Sequence, residues 1–464
     1  MSRTTFLTAL AASLLLRALA LPSPGTGDTT IWKVWMFNAA HEPIGTLYGV
    51  GGSPPERRIL HFAGAEAPVD YPPLALVELG AAGRLYRAWS HRRFPNSDAL
   101  NAFAKLAPLA ADIGFAVLVY ASTRSRWATL AYWLNPAVIL DASVLGYLDP
   151  LFVLPAAGAV MAAASGSAVL AGTLIAAAML TKAQAIFVAP AVLVALVSGT
   201  GPSRTRYVPD MYPSLMRFGT AAVATAAAVT LPVARAGGLP NLTQALSRLA
   251  THDMVSANAC NLWWIVGYVV RARASMHDLG AWTAFTMPTR ILGITRMTEL
   301  GYPNPRAVGL ALTAGASAWA IWTLRRARHV PAAAALAAFL VHAYSTLSAQ
   351  VHENHLFAAV PFAVLAAADL TAYRPIAIGV SLVAALNLNL FYGFGNGVGY
   401  ALPRGVTIVD ATVVLAVLNC ALLCWHAAAI RRVAGSTAGA SRPAPAPAFR
   451  RAPATRTDSS ATRT

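Results

Sequence analysis

The residues of this chain that are best suited to acid–base chemistry are acids that stand next to long apolar segments. Asp28 follows Gly27 at the start of a polar segment. Because apolar surroundings raise the pKa of a carboxyl group towards neutrality, Asp28 is a candidate general base that takes a proton from an attacking hydroxyl. The alternative role is the N-cap of a helix that begins at Thr29, since Asp commonly caps helices.

A second acid, Asp70, stands directly before Tyr71-Pro72-Pro73. The two prolines fix two φ angles and force Tyr71 into an extended conformation, which holds the acid in one direction. Asp149 follows at the end of a short turn between two apolar segments. The diproline is also consistent with a plain junction between a loop and a helix, with Pro at the first helical position.

The motif His352-Glu353-Asn354-His355 closes another apolar segment. Its spacing differs from that of zinc proteases, in which two histidines stand four residues apart, so we predict no metal site. Clustered donors near a membrane surface suit the binding of a phosphate or of sugar hydroxyls. The alternative is a polar cap at the membrane interface.

A lysine, three amides and a tryptophan complete the candidate binding residues: Lys182, Gln184, Asn258, Asn261 and Trp263. Amide and aromatic side chains hydrogen-bond to sugars and stack on them, and an ammonium group suits a phosphate. The alternatives are a lysine that extends to the interface and an ordinary interfacial tryptophan. The chain has no glycine-rich phosphate loop and no recognisable Ser-His-Asp or Cys-His arrangement, which argues against ATP-driven chemistry.

The composition is that of a membrane protein. The 464 residues are 57% hydrophobic and only 11% charged, whereas soluble proteins average about 25% charged residues. Apolar runs recur along most of the chain and lack the alternation of a barrel strand, so they predict helices. We therefore predict an all-α polytopic membrane protein with roughly 12 transmembrane helices. Beyond the first helix, the expected spans are 106–121, 127–140, 150–165, 167–180, 184–198, 218–236, 306–324, 330–348, 356–370, 375–391 and 407–428.

Long polar segments interrupt these spans. The first outer loop, 22–105, contains amphipathic pieces from Ile31 to Ala40 and from Leu74 to Trp89, which we expect to lie in the membrane interface. A second large outer loop covers 237–305. Residues 1–430 then form one membrane module, and 431–464 form a disordered basic cytoplasmic tail. Met1 to Leu21 is predicted to be a retained first helix, with a cleaved signal peptide as the alternative.

The net charge of +17 comes from arginines in short clusters between apolar runs and in the tail, a pattern that indicates topology and not nucleic-acid binding. With both termini in the cytoplasm, most clusters lie inside and the candidate site residues lie on the outer face. The short apolar stretch Asn261–Val270 then does not cross the membrane. Five arginines remain outside, where either they bind a phosphate or the topology reverses: Arg271, Arg273, Arg290, Arg296 and Arg306.

Taken in order, several motifs resemble those of the lipid-linked type C glycosyltransferases, and most of all those of the dolichyl-phosphate-glucose glucosyltransferases of N-glycan assembly and their bacterial relatives. The resemblance covers most of the chain apart from the tail. The motifs that carry it are Gly27-Asp28 with Trp32 and Trp35, Asp70-Tyr71-Pro72-Pro73-Leu74, Leu134-Asn135-Pro136, Gly146-Tyr147-Leu148-Asp149, Thr181-Lys182-Ala183-Gln184 and Val351-His352-Glu353-Asn354-His355.

The resemblance implies an enzyme that takes a hexose from a polyprenyl monophosphate carrier on the non-cytoplasmic face and inverts the anomeric centre without a metal or other cofactor. Asp28 matches the general base of the family. Asp70, Tyr71 and Asp149 belong to the acceptor side or support it, and the remaining candidates hold the donor phosphate and sugar. Asn354 departs from the pattern, since the family usually has Lys there, and the glutamine that commonly precedes the acid at 149 is missing.

The expected function is therefore transfer of glucose or mannose from a polyprenyl-phosphate carrier to a lipid, glycan or protein acceptor, in a bacterial inner membrane and in contact with membrane lipid. A transporter or flippase of lipid-linked sugars is the alternative. It requires charges or broken helices near the bilayer midplane, and internal repeats, of which the two halves give no convincing sign. A noncatalytic assembly protein would not need so long an acidic and aromatic outer loop.

Overall fold

A computed structural model describes residues 1–50, 58–198, 208–249, 251–279, 295–300, 303–326, 329–395 and 410–439. Within these ranges six helices are long and apolar enough to cross a membrane, or seven if the bent pair Arg126–Trp133 and Pro136–Leu145 forms one span. Shorter apolar helices lie at Asp149–Ala164, Ala168–Thr181 and Ala183–Ser198. The chain is thus a helical membrane protein, and length and composition support six or seven of the roughly 12 expected spans.

The helices are, in chain order, α1 Arg3–Ala20, α2 Gly27–His41, α3 Pro73–Trp89, α4 Asp98–Thr123, α5 Arg126–Trp133, α6 Pro136–Val138, α7 Asp149–Ala164, α8 Ala168–Thr181, α9 Ala189–Ser198, α10 Val208–Arg235, α11 Leu239–Leu249, α12 Leu262–Leu279, α13 Met297–Leu300, α14 Pro305–Thr323, α15 Val330–Leu347, α16 Ala359–Asp369, α17 Arg374–Tyr392 and α18 Ala411–Gly439. A π-helix, Ile139–Leu145, continues α6, and 3-10 turns occupy Ile44–Thr46, Ala183–Phe187, Glu353–Leu356 and Thr371–Tyr373. The strands are β1 Ile59–Phe62, β2 Ala65–Pro68, β3 Ser256–Ala257 and β4 Val351–His352.

The helices follow the predicted apolar segments closely, and both predicted amphipathic pieces are helical, as α2 and α3. Several boundaries differ from expectation. α4 begins at Asp98, inside the expected first outer loop, and α10 begins at Val208, ten residues before the expected span. α18 continues to Gly439, beyond the expected start of the tail, and α11 and α12 lie within the expected second outer loop. The rest of that tail, and Arg290 among the outer arginines, lie outside the described residues.

The break between α5 and the π-helix places several site residues. The two parts meet at an angle of 44°, because Pro136 lacks the N–H needed to continue α5 and disfavours a helical residue before it. Asn135 instead caps the start of α6, where its side chain accepts a hydrogen bond from the Ala137 N–H at 3.0 Å. The π-helix then ends at Gly146, whose φ of 78° requires glycine.

An aromatic and aliphatic core holds the outer segments together above the membrane helices. α2 and α3 pack closely, because a Cβ at Gly83 would lie 2.5 Å from the Met36 carbonyl oxygen. The β1–β2 hairpin covers this pair, turning at Ala63 and Gly64, both of which have positive φ. The Trp35 indole donates to the Pro68 carbonyl at 3.0 Å and fixes the hairpin to α2.

α1 is joined to the bundle by a buried ion pair. Arg17 Nη1 lies 2.9 Å from Asp112 Oδ2, and both side chains are fully buried. Arg17 also donates to the Trp133 carbonyl at 2.8 Å, and Tyr132 donates to the other oxygen of Asp112. The arginine that interrupts the first apolar segment is therefore a structural partner of α4 and α5.

Candidate functional site

Asp28 is the second residue of α2, so its predicted alternative role as the N-cap is wrong. The N-cap is Thr26, which makes no side-chain capping bond. The loop before it is held by Lys105, whose ammonium donates to the Ser23 and Val144 carbonyls, each at 2.7 Å. These bonds fix the first turn of α2 against the end of the π-helix.

Titratable side chains from three other parts of the chain influence Asp28. Burial raises the pKa of its carboxyl group above the ordinary value, and Glu353 and Asp149 act in the same direction. His352 and Lys182 act in the opposite direction. Residues that are more than three hundred positions apart in sequence thus share one electrostatic environment.

Asp149 is held by two donors. Lys182 Nζ lies 2.8 Å from Asp149 Oδ1, and Asn354 Nδ2 donates to Oδ2 at 2.7 Å. The side chains of Asp149, Lys182 and Asn354 are all buried. Burial by itself lowers the pKa of Lys182, but Asp149 outweighs it and the pKa lies above its ordinary value. Lys182 therefore stays charged and points into the protein, so the alternative of an interfacial lysine is wrong.

The His352–His355 motif lies where β4 passes into a 3-10 turn. Glu353 accepts a hydrogen bond from the Tyr147 hydroxyl. His355 Nδ1 lies 3.0 Å from the Tyr344 hydroxyl, and the Tyr344 ring stacks on Phe187 at 3.7 Å between centres. This inward packing does not fit the alternative of a plain interfacial cap.

Burial determines the charge state of this motif. It lowers the pKa of His352 to about 4, although Asp28 acts in the opposite direction, and it lowers the pKa of His355 well below the ordinary range. Burial also raises the pKa of Glu353. At neutral pH both imidazoles are uncharged, so they contribute hydrogen bonds to a ligand and not positive charge.

The diproline has the structural role given above as its alternative, since Pro72 is the N-cap of α3 and Pro73 its first residue. Tyr71 is the member of the motif that reaches the site. Its ring packs against Trp32 and Trp35, and Lys182 Nζ lies 5.9 Å from the ring centre. Asp70 directly precedes Tyr71 and therefore lies beside the site.

The amide and tryptophan candidates divide into two groups. Asn258 Nδ2 faces the Tyr392 hydroxyl at 3.4 Å, and Asn258 pairs with His352 in a β-bridge. Asn261, by contrast, accepts the Trp263 and Trp264 backbone N–H groups at the start of α12.

The last two candidates differ in their position. Trp263 packs against Val255 and Ala349, in a small core separate from the Asp28 cluster. Gln184 is half-buried in the 3-10 turn directly after Lys182. Asn261 and Trp263 are therefore placed as structural residues, and Gln184 lies beside the site.

The outer arginines that the structure describes hold loops near His352. Arg306 donates to the Gln350 side chain at 3.0 Å and to the His252 carbonyl at 3.4 Å. Arg271 donates to Thr295 Oγ1 at 2.9 Å. These contacts give two of the five arginines, Arg306 and Arg271, a structural function.

Apart from Tyr71, sequence reasoning missed the tyrosines that line the site. Tyr147 and Tyr344 bind Glu353 and His355, and Tyr392 faces Asn258. Tyr147 stands inside a motif that had been noticed, which was the only available signal. In the described part of the chain, no group of three or more His, Cys, Asp or Glu side chains is placed to hold a metal ion.

Comparison with known proteins gave no match, either to a protein-family model or to a curated protein sequence.

Proposed function

We propose that the protein is an inverting glycosyltransferase that moves a hexose, glucose or mannose, from a polyprenyl-phosphate carrier to an acceptor on the extracytoplasmic face of a bacterial inner membrane. The observation that carries this proposal is the convergence on Asp28 of Lys182, Asp149, His352 and Glu353. One potential base, one paired cation and several neutral hydrogen-bonding groups meet at the end of an apolar bundle. That set suits a lipid-linked donor.

The arrangement supports a single displacement. Asp28, ionised, takes the proton of the acceptor hydroxyl while the hydroxyl oxygen forms a bond to the anomeric carbon. The bond from that carbon to the phosphate oxygen breaks on the opposite face, and its electron pair leaves with the phosphate. In this proposal Lys182 and the neutral imidazole of His355 stabilise the negative charge that the phosphate gains.

The experiment that tests the proposal measures sugar transfer in membranes. Radiolabelled polyprenyl-phosphate-glucose and polyprenyl-phosphate-mannose are each given to membranes that contain the wild type, Asp28→Asn or Asp98→Asn. Asp98→Asn is the matched control, because Asp98 is an acid at the start of α4. General-base removal lowers rates on the order of 100- to 10,000-fold, so we expect loss with Asp28→Asn alone. Equal transfer by all three proteins contradicts the assignment of the base.

A second candidate function is transport or flipping of lipid-linked sugars. Arg17 and Asp112 form an ion pair inside apolar helices, and His342 and His426 meet at 3.0 Å between ring nitrogens of α15 and α18. Ionisable groups within membrane spans often mark a transport path. Movement of a fluorescent prenyl-phosphate sugar across reconstituted vesicles, unchanged in Asp28→Asn, would favour this function over transfer.

A further inference from the structure

An open apolar groove lies beside the candidate site, between α1, the bent α5 and π-helix pair, and α17. Its volume is about 630 Å³, within the roughly 300–1,000 Å³ range of ligand pockets. Leu16, Leu134 and Leu382 line it and are each about half exposed. Exposed leucines on membrane helices face lipid, so the groove is open sideways to hydrocarbon chains.

One end of the groove adjoins the turn that carries Asp28. Ser23 and Val144 line this end, and Ser23 Oγ donates to the Val144 carbonyl at 2.9 Å. The next residue, Leu145, accepts a hydrogen bond from Thr29 Oγ1 in the first turn of α2. Thr29 directly follows Asp28 and Leu145 directly follows the groove-lining Val144, so the groove ends close to the candidate base.

Asn389 provides an unused acceptor at the same end. Its Nδ2 donates to the Gly393 carbonyl at 3.4 Å. The other amide atom, Oδ1, therefore points away from Gly393. Oδ1 is buried and has no hydrogen-bond partner within the described ranges, and the side chain is only 7% exposed. Buried amide oxygens normally have a partner, so a ligand that brings a donor to this point completes the site.

We propose that this groove binds the hydrocarbon chain of a glycolipid acceptor with a short head group, and that a sugar hydroxyl of this head group donates to Asn389 Oδ1. The inference rests on the proposed function. An ionised phosphate offers no donor, whereas a sugar hydroxyl does. The groove ends near Asp28. A glycolipid can therefore keep its hydrocarbon chain in the groove and bring its nucleophilic hydroxyl to Asp28 only if its head group is small. The donor phosphate then occupies the Lys182 and His355 side of Asp28.

Photo-crosslinking of the full chain tests the proposal without depending on transfer. The probe is a farnesyl monoglucoside with a diazirine on its terminal isoprene unit. We expect cross-links to peptides of α1 and α17 in the wild type, and their loss in Ala20→Trp, which fills the groove from the α1 wall. Leu382→Trp fills it from α17 and serves if the first variant does not fold. Ala18→Trp is the matched control, because Ala18 is exposed on the same helix and does not line the groove.

The head group is tested separately with Asn389→Leu. We expect this variant to keep the chain cross-links but to lose the preference for the free glucoside over its fully methylated form. Cross-linking that is equal in wild type and both tryptophan variants overturns the proposal. So does labelling of the groove by a diazirine phosphatidylcholine that the glucoside does not displace, since the groove then holds bilayer lipid only.

The failure of this proposal is distinguishable from failure of the proposed function. If the wild type and Ala20→Trp transfer sugar equally well to a farnesyl monoglucoside, the enzyme assignment stands and the groove assignment falls. If the probe cross-links specifically in the groove but no donor supports transfer, the lipid site stands and the transferase assignment falls.

Discussion

The negative charge of Asp149 neutralises the positive charge of Lys182 in the buried part of the site. Its carboxylate binds the ammonium of Lys182 and the amide of Asn354. The family that the chain resembles usually has Lys at the position of Asn354. A second ammonium group would add charge around one carboxylate, whereas the amide adds a hydrogen bond without charge. The departure therefore leaves the pair of Lys182 and Asp149 intact and makes Asn354 a support for Asp149.

The buried pair gives a stability prediction. Lys182→Met leaves Asp149 with an uncompensated buried charge, and such losses cost about 3–5 kcal/mol. We expect a correspondingly lower unfolding temperature, measured in detergent. Adding Asp149→Asn to Lys182→Met removes the unpaired charge and should recover most of the loss. Lys33→Met is the control. It removes a half-exposed lysine bound to Asn96 and Asn101, leaves no buried charge unpaired and should lower the unfolding temperature much less.

Glu78 gives a prediction of pH dependence. Burial raises the pKa of Glu78 to about 8, although the Thr181 hydroxyl bound to it acts in the opposite direction. The folded protein keeps this proton while the unfolded chain releases it, so Glu78 lowers the free energy of unfolding progressively from about pH 4.5 to about pH 8. Below that range it contributes no penalty.

We therefore expect Glu78→Gln to match the wild type in unfolding temperature near pH 4.5 and to exceed it by a few degrees above about pH 8. Glu66→Gln is the control, because Glu66 is an exposed acid on the hairpin, and it should show no such rise. An equal difference between Glu78→Gln and the wild type at all pH values would mean that Glu78 is already ionised in the folded protein.

At the scale of elements, the loop from Ser23 to Thr26 depends on one glycine. Gly25 has a φ of +74°, and a Cβ there would lie 2.2 Å from Thr29 Oγ1 and 2.6 Å from the Leu145 carbonyl oxygen. A Cβ at Gly27 would meet nothing within 4 Å. A side chain is therefore excluded at Gly25 and accommodated at Gly27.

Gly25→Ala should therefore displace the first turn of α2 and abolish most activity, while Gly27→Ala should fold normally and keep its sugar-transfer rate. Folded yield and transfer are measured in the same membranes. If Gly27→Ala folds but is inactive, the glycine next to Asp28 is needed for room to bind substrate, and the structural explanation for these two positions is incomplete.

The elements that the sequence predicted are those whose signals are local. Apolar runs located most of the helices from α4 to α18, but not α11, α12 and α13, which lie in the expected second outer loop, and Pro72 with Pro73 marked the start of α3. The parallel pair of β3 and β4 could not be predicted, because each strand has two residues and the pairing joins Ser256 to Val351 across the chain. The structural contacts of Asn261 and Trp263 could not be predicted either, since an N-cap and a carbohydrate contact use the same residue types.

At the scale of the whole molecule, the candidate site forms where alternate helix ends meet. α1 ends three residues before Ser23, which Lys105 of α4 binds, and α17 ends at Tyr392, which faces Asn258. α7 begins at Asp149, which binds Lys182. Arg124, Arg325 and Arg374 stand at the other ends of α4, α14 and α17. The positive-inside rule therefore predicts that those ends are cytoplasmic and that the site lies outside.

This orientation is tested by cysteine labelling in intact cells with a maleimide that does not cross membranes. Glu66→Cys places a thiol on the exposed hairpin beside the site, and Ser122→Cys places one on an exposed turn at the arginine end. We expect Glu66→Cys to be labelled at once and Ser122→Cys only after permeabilisation, with the wild type giving the background from Cys420 and Cys424. The opposite order would put Asp28 in the cytoplasm, where nucleotide sugars are available, and would remove the need for a lipid-linked donor.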